Sequence, residues 1–293
     1  MTDPVPPKRV FQGAREEAET AASATQSAQT LDPAYRLAFQ DMDFLLREDL
    51  RPVRFQLELL KPELLLDEAK IASTFVFYGS ARIPEPAKAD ALVAAAATDS
   101  QRLIAERLKE KSRYYDESRK LARLVSKVER DEEGRRHFVV CSGGGPSIME
   151  AANLGALDEG EESIGLNIVL PHEQLPNPYV TPKLSFQFHY FALRKMHFLL
   201  RARAVAVFPG GFGTFDEAFE LLTLIQTGKV KPIPIVFFGR AFWERVIDFE
   251  ALAEEGVISP DDLKLFTFCE TAEEAWSYVC GHYAGSEDDP GCA

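Results

Sequence analysis

The sequence predicts a doubly wound α/β fold, a mostly parallel, Rossmann-like sheet with helices on both faces, preceded by an N-terminal helical extension. Three observations predict it. From Ser73 onward, short β-rich runs that are apolar at nearly every residue alternate with helical segments. Such runs suit strands covered on both faces, and the helices between them supply the crossovers of a parallel sheet. Three of the runs end in glycine-rich turns, and in open parallel sheets ligands collect at the carboxyl ends of the strands. Hydrophobic residues make up 46% of the 293 and charged ones 27%, enough to bury a sizeable core.

Residues 1–31 read as a mobile tail, because up to residue 30 there is no Leu or Ile and Phe11 is the one aromatic, leaving little apolar area to offset chain entropy. Residues 32–72 read as the helical extension. Asp32 can cap, Pro33 fits a first helical position, and Leu37, Phe44 and Leu45 recur at helical spacing. Pro52 and Pro62 are expected to break this extension into short helices ending near Lys70. Residues 73–284 read as the main Rossmann-like domain and 285–293 as a C-terminal tail. Strands are expected at 74–78, 137–141, 164–170, 204–208 and 233–238. The stretch from Pro86 to Arg130 is longer than one crossover needs and reads as two helices with a break near Ser112. After the second glycine turn, a helix is expected with Pro146 at its first position.

Forty-six Asp and Glu against 33 Lys and Arg give a formal charge of −13. A field of that sign disfavours nucleic acid polymers and anionic membrane surfaces as partners. It leaves small anions open, since local cations and backbone N–H groups act within a Debye length of roughly 8 Å. Cys141, Cys269, Cys280 and Cys292 are far apart and lack metal-ligand spacing, so they read as reduced, with no metal site. The first residues lack an apolar signal region and no stretch is long enough to span a bilayer, which predicts a cytoplasmic protein.

The chemistry concentrates in the glycine turns. FVFYGSAR ends the first run at Gly79 and Ser80, and FVVCSGGGPSIMEAAN places Gly143, Gly144 and Gly145 before a helix. VAVFPGGFGTFDEAFE places Pro209, Gly210, Gly211, Phe212, Gly213 and Thr214 before another. Glycines let backbone approach a phosphate, and helix N-termini direct N–H groups toward it. The three turns could wall one nucleotide-sized pocket. Neither of the first two matches GxGxxG or a Walker loop, so no NAD or ATP cofactor is indicated, and GGG reads equally as plain chain reversal.

The third turn is more specific. PGGxGTxxE, running from Pro209 through Thr214 to Glu217, together with Arg194 and Lys195 on the preceding helix and the GSAR, GGGPSIMEAAN, ALRK and QTGK segments, resembles the LONELY GUY (LOG) phosphoribohydrolase family. That family was long described as lysine decarboxylases, and the likeness is to its longer bacterial form, over residues 73–282. The resemblance implies cleavage of the N-glycosidic bond of a nucleoside 5'-monophosphate, such as AMP or a cytokinin riboside monophosphate, to free base and ribose 5-phosphate. It implies Arg194 and Glu217 as the catalytic pair and the PGGFGT backbone with Thr214 on the phosphate. Gly79, Ser80, Gly143, Gly144, Gly145, Met149 and Lys195 would complete the nucleotide site, without a cofactor, in a homodimer or larger homo-oligomer. Two departures stand out: short members carry an acidic residue where this chain has Leu193, and they lack the 86–113 stretch and the N-terminal helices.

Read by themselves, the same residues keep rival readings. Thr214 to Glu217 is also a T-x-x-E capping box. Alternatively Glu217, kept anionic by the helix dipole, could counter an oxocarbenium-like charge or orient water. Arg194 and Lys195 could form a solvated face, yet Phe191, Phe198 and Leu199 make their helix largely buried, so a charge there needs an anionic partner. Met149 either packs its helix on the sheet or stacks on a base. His189 and His197 flank Arg194, but neither occurs with a Ser or Cys nucleophile motif, and Ser80 has no nucleophile elbow. No lysine with an acidic partner is singled out for pyridoxal phosphate, so lysine decarboxylation is not supported. The rival function is a nucleotide or molybdenum-cofactor-type carrier or sensor, which needs the glycine turns but not the Arg194 and Glu217 pair.

Overall fold

The computed structural model describes residues 11–171, 175–286 and 289. The chain falls into two compact units, residues 1–57 and 58–293. In the first, α1 (Ala14–Ala22), α2 (Ala28–Leu31) and α3 (Met42–Leu45) bury no residue. The first ten residues, most of the 285–293 tail and Cys292 lie outside the described residues.

Helix α4 (Arg51–Glu68) is continuous, which corrects the expected break at Pro62. A proline inside a helix strips the carbonyl four residues earlier of its donor. Here that carbonyl belongs to Glu58, and the His197 ring donates to it from Nε2 at 3.1 Å. The lost helical bond is replaced by a tertiary one, so the helix continues. Burial, the largest influence on His197, lowers its proton affinity.

The second unit is built on seven strands: β1 (Thr74–Tyr78), β2 (Val139–Ser142), β3 (Ile164–Ile168), β4 (Ser185–Phe188), β5 (Ala202–Val207), β6 (Ile235–Phe238) and β7 (Thr267–Cys269). They lie in the order β4-β3-β2-β1-β5-β6-β7, and every neighbouring pair is parallel. The predicted doubly wound sheet is present. The two edge strands, β4 and β7, were not expected. They are four and three residues long, and a short edge strand needs no continuous apolar run because part of it faces solvent.

Side chains alternate along each strand between two cores. Phe75 and Phe77 of β1 join a cluster with Leu121, Ile148 and Val279, from α7 (Arg113–Val125), α8 (Ile148–Asp158) and α13 (Ala272–Tyr283). Val76 and Tyr78 face the other way, with Phe198, Leu221, Trp243 and Phe249, from α9 (Phe191–Leu200), α10 (Phe212–Gln226), α11 (Arg240–Val246) and α12 (Phe249–Glu254). The period of two makes this division unavoidable once both faces are covered.

The stretch after β1 forms three helices rather than two: α5 (Pro86–Ala94), α6 (Asp99–Lys111) and α7. The break at Ser112 is as expected. The other comes at Thr98, whose hydroxyl accepts from Gln101 N at 3.2 Å while the Gln101 side chain accepts from Thr98 N at 3.2 Å. That capping box was legible as T-x-x-Q. Among the described residues, no helix is long and apolar enough to cross a membrane, no group of three or more His, Cys, Asp or Glu is placed to hold a metal, and Cys141, Cys269 and Cys280 are free thiols.

Candidate active site

Strand order reverses between β1 and β5: β2, β3 and β4 extend to one side of β1, β6 and β7 to the other side of β5. The loops leaving those two strands must part there, which opens a crevice at their carboxyl ends. GSAR leaves β1 and PGGFGT leaves β5. Backbone bonds tie the two turns together, Ser80 N donating to Pro209 O at 3.1 Å and Phe208 N to Tyr78 O at 2.8 Å. A cavity of 760 Å³ opens above them. Gly79, Ser80, Gly143, Met149, Arg194, the run from Pro209 to Thr214, and Glu217 all line it; Gly144, Gly145 and Lys195 do not.

Each glycine turn has a separate reason for its shape. At Gly79 a Cβ would lie 2.5 Å from the Ile148 side chain, so glycine lets α8 close on β1. At Gly143 it would lie 2.7 Å from Arg194 Nη2 and 3.0 Å from Met149 Sδ, so the bare backbone is the notch that admits the guanidinium. Gly144 has φ +70° and a Cβ there would strike the Asn167 amide. The carbonyls of Gly144 and Gly145 accept from Asn177, at 2.8 Å from N and 3.0 Å from Nδ2. These two glycines therefore hold the turn to its asparagine supports. Asn153 completes that network, accepting from Ser142 Oγ at 2.8 Å and from Asn177 Nδ2 at 2.9 Å.

The helix after this turn begins at Ile148, not Pro146, because Ser147 takes φ +67° as its N-cap residue. Its hydroxyl donates to the Ile83 carbonyl, joining the second turn to the first. A non-glycine residue in that region costs on the order of 1–3 kcal/mol and persists where surrounding contacts enforce it.

Gly143→Ala and Gly144→Ala should separate these roles. The first should weaken turnover about tenfold by pushing Arg194 Nη2 aside while its Nε keeps the Leu166 carbonyl, which leaves the melting temperature nearly unchanged. The second should lower it by several degrees, since a residue with Cβ at positive φ is strained by about 1 kcal/mol or more. Equal melting temperatures for the two variants would contradict this division.

In the third turn, α10 starts at Phe212 with Gly211 as its N-cap, and no side chain caps it. The capping-box reading of Thr214 and Glu217 is thereby corrected: both residues lie inside the helix. The first intrahelical bond runs from Phe215 N to Gly211 O at 3.0 Å. The N–H groups of Phe212, Gly213 and Thr214 precede it and have no acceptor within the helix. They line the cavity with the positive end of the helix dipole behind them, the arrangement that receives phosphate. A Cβ on Gly210 would overlap the Thr214 side chain, so only glycine allows this turn to close.

Arg194 enters from α9. Its Nε donates to the Leu166 carbonyl at 2.7 Å, its guanidinium lies 5.1 Å over the Phe198 ring, and Nη1 stands 3.9 Å from Glu217 Oε1. The anionic partner that a buried arginine requires is therefore internal, at least in the free protein. Lys195 projects elsewhere, pairing with Asp216 at 2.8 Å and Glu220 at 3.1 Å.

Glu217 is 7% exposed. Burial raises its carboxyl to about 7, outweighing the opposite pull of Arg194 and then Lys195, while Glu220 and Asp216 add to the rise. This corrects the expectation of a carboxylate held anionic by the helix dipole. Glu217 is the sixth residue of α10, and the dipole's influence fades within the first turn. Desolvation is the larger effect there.

Sequence reasoning missed the residues that come from elsewhere in the chain. Leu108 and Lys111 of α6, Phe242 of α11, and Arg82 and Ile83 beyond Gly79 line the same cavity. Lys111 Nζ lies 5.8 Å over the Phe242 ring. Their contribution depends on where α6 packs, for which the sequence carries no local signal.

With this geometry in place, two kinds of likeness bear on kinship. The family described as possible lysine decarboxylase matches residues 149–279. A probable cytokinin riboside 5'-monophosphate phosphoribohydrolase of Oryza sativa subsp. japonica is 24% identical over 144 residues, 46% of this chain and 64% of that protein. A cytokinin riboside 5'-monophosphate phosphoribohydrolase of Arabidopsis thaliana is 26% identical over 140 residues, 46% of this chain and 63% of that protein. Over this part of its length the chain is similar to the LOG family. It spans a little under two thirds of the length of these two LOG relatives. Among solved structures, a molybdenum cofactor carrier protein from Chlamydomonas reinhardtii aligns with a TM-score of 0.38 at 15% identity, over 70% of this chain and 96% of that one. The family match begins at Met149 and so takes in Arg194, Glu217 and the PGGFGT turn but not the GSAR or GGG turns.

Proposed function

We propose that the protein hydrolyses the N-glycosidic bond of a nucleoside 5'-monophosphate, AMP or a cytokinin riboside monophosphate, to the free base and ribose 5-phosphate. The observation that carries this reading is a buried carboxyl with a proton affinity near neutrality, 3.9 Å from an arginine, in the same cavity as an uncapped helix N-terminus. A carrier needs the anion site alone. A group that exchanges a proton near pH 7 is what general acid–base chemistry needs.

In this reading the N–H groups of Phe212 to Thr214 hold the phosphate and the nucleoside extends toward Glu217. Ionised Glu217 takes a proton from water as its oxygen bonds to C1' of the ribose. The C1'–N bond breaks, its electron pair goes to the base nitrogen, and that nitrogen takes up, through solvent water, the proton that Glu217 gained, which restores the carboxylate. The positive charge that develops on the ribose is balanced by the same carboxylate. Arg194, held by Leu166, keeps Glu217 ionisable in a dry site and offers Nη1 and Nη2 to a substrate oxygen.

Incubation with AMP followed by chromatography tests the reading directly. Adenine and ribose 5-phosphate are expected; intact bound AMP would instead mark a carrier. Adenosine should be cleaved with a kcat/KM at least about a hundredfold lower, because hydrogen bonds to a charged phosphate contribute about 1.5–3 kcal/mol each. Equal kcat/KM for the two would remove the phosphate from the helix N-terminus.

A further inference from the structure

Tyr78 is the last residue of β1, and its hydroxyl is buried without a hydrogen-bond partner among the described residues. The residue lines the cavity that Arg194 and Glu217 share. Its ring meets Phe198 edge-on with centroids 5.1 Å apart, and it packs in the same cluster as Ala218 and Leu221, which follow Glu217 on α10. A hydroxyl taken out of water without a partner costs on the order of 1–3 kcal/mol. Phenylalanine would fill the space without that cost. The strand carries a phenol at its last residue, where it lines the candidate site.

The groups that act on this hydroxyl narrow its role. Glu217 of α10 has the strongest charge interaction with it, followed by Cys141 of β2, Arg194 of α9 and Glu220 of α10. Burial pushes the Cys141 thiol far up, so it stays neutral. Arg194 is a donor only and already serves Leu166. Glu220 has its Oε2 3.1 Å from the Lys195 ammonium and, unlike Tyr78 and Glu217, does not line the cavity. Glu217, which also faces Lys195 and Asp216, is the remaining acceptor, and it has no hydrogen bond from a neutral donor among the described residues.

We propose that Tyr78 is a positioning residue whose hydroxyl donates a hydrogen bond to the ionised Glu217 carboxylate and fixes its orientation for the reaction. The proposal rests on the reading of Glu217 given above. A donor aimed at the ionised form stabilises it against protonation, so the hydroxyl offsets part of the effect of burial at the moment when Glu217 must act as a base. The hydroxyl is kept where it weakens the fold because its partner is the charged form of one carboxyl.

Tyr78→Phe removes the oxygen alone. The titration midpoint of Glu217, followed by carbon-detected NMR on the free protein, should rise by about one pH unit, the scale of one lost hydrogen bond to a charged group. The rising limb of kcat against pH should move up equally. At pH 7, kcat should fall roughly tenfold or more with KM changed less than about threefold, while the melting temperature stays level or rises. In a Glu217→Gln background the same substitution should change kcat by less than about twofold, because a residue acting through Glu217 has nothing left to act on. An unmoved Glu217 midpoint overturns the proposal whether or not the protein turns over AMP. Failure of the wild-type protein to cleave any nucleoside 5'-monophosphate overturns the proposed reaction instead, with the NMR titration still deciding the hydrogen bond.

Discussion

Glu217→Gln should slow base release from AMP by a hundredfold or more and, at pH 8, raise the melting temperature. The loss follows from the carboxylate's work: a neutral amide neither takes a proton from water nor balances charge on the ribose, and loss of such a group typically costs about 10²- to 10⁴-fold. The gain follows from burial. An unfolded glutamate titrates at 4.5 and the folded one at about 7, so between those values the native protein binds more protons than the unfolded chain. Stability from this group is full below pH 4.5 and is lost as pH rises through 7, by about 3 kcal/mol in all. Glutamine carries no such penalty. The advantage of the variant in melting temperature should therefore be absent near pH 4.5 and reach several degrees by pH 8. Thermal unfolding across that range, beside kcat for both proteins, checks both halves. Turnover within about threefold of wild type, a loss of about 0.7 kcal/mol, would remove Glu217 from the mechanism.

Arg194→Ala should lower kcat/KM for AMP by about 10²- to 10³-fold, the scale of one or two charge-assisted bonds. It should also destabilise. Its Nε is the donor to the buried Leu166 carbonyl, and an acceptor left unpaired costs about 1–3 kcal/mol. A separate effect falls on Glu217. Arg194 is the largest influence holding that carboxyl down, so its removal should move the rising limb of the rate profile above pH 7. Arg194→Lys should restore part of the rate but not the melting temperature, since one ammonium cannot reach Leu166 and a substrate oxygen together. A profile that loses height without moving along the pH axis would show that the two side chains are not coupled.

The doubly wound sheet was legible because its interior strands, such as TFVFY and IPIVFF, are apolar on both faces, and that pattern is local. The edge strands escaped for the complementary reason. SFQF alternates, with Phe186 and Phe188 buried and Gln187 exposed, but four residues of alternation are too short to distinguish from a loop. The break at Thr98 was legible and went unread.

At the candidate site, the glycine turns and the Arg194 and Glu217 pair could be picked out from the chain because each is a short pattern. Their functions within the turns could not. Gly143 and Gly144 are adjacent and identical in the sequence, yet one makes room for Arg194 and the other for Asn167. Lys195 carries the same charge as its neighbour but pairs on the surface of α10, since one residue along a helix rotates a side chain by about 100°. By itself the sequence determined which segments are the interior strands, where the glycine turns come and which family the turns resemble, all of which follow from the order of neighbouring residues. Only the tertiary structure decided that Glu217 holds its proton to about pH 7, that Arg194 is anchored by Leu166, that His197 replaces the bond Pro62 removes, and that α6 walls the cavity. Those properties depend on desolvation and on partners from 28 to 139 residues away, and neither distance in space nor exclusion of water is written in local order.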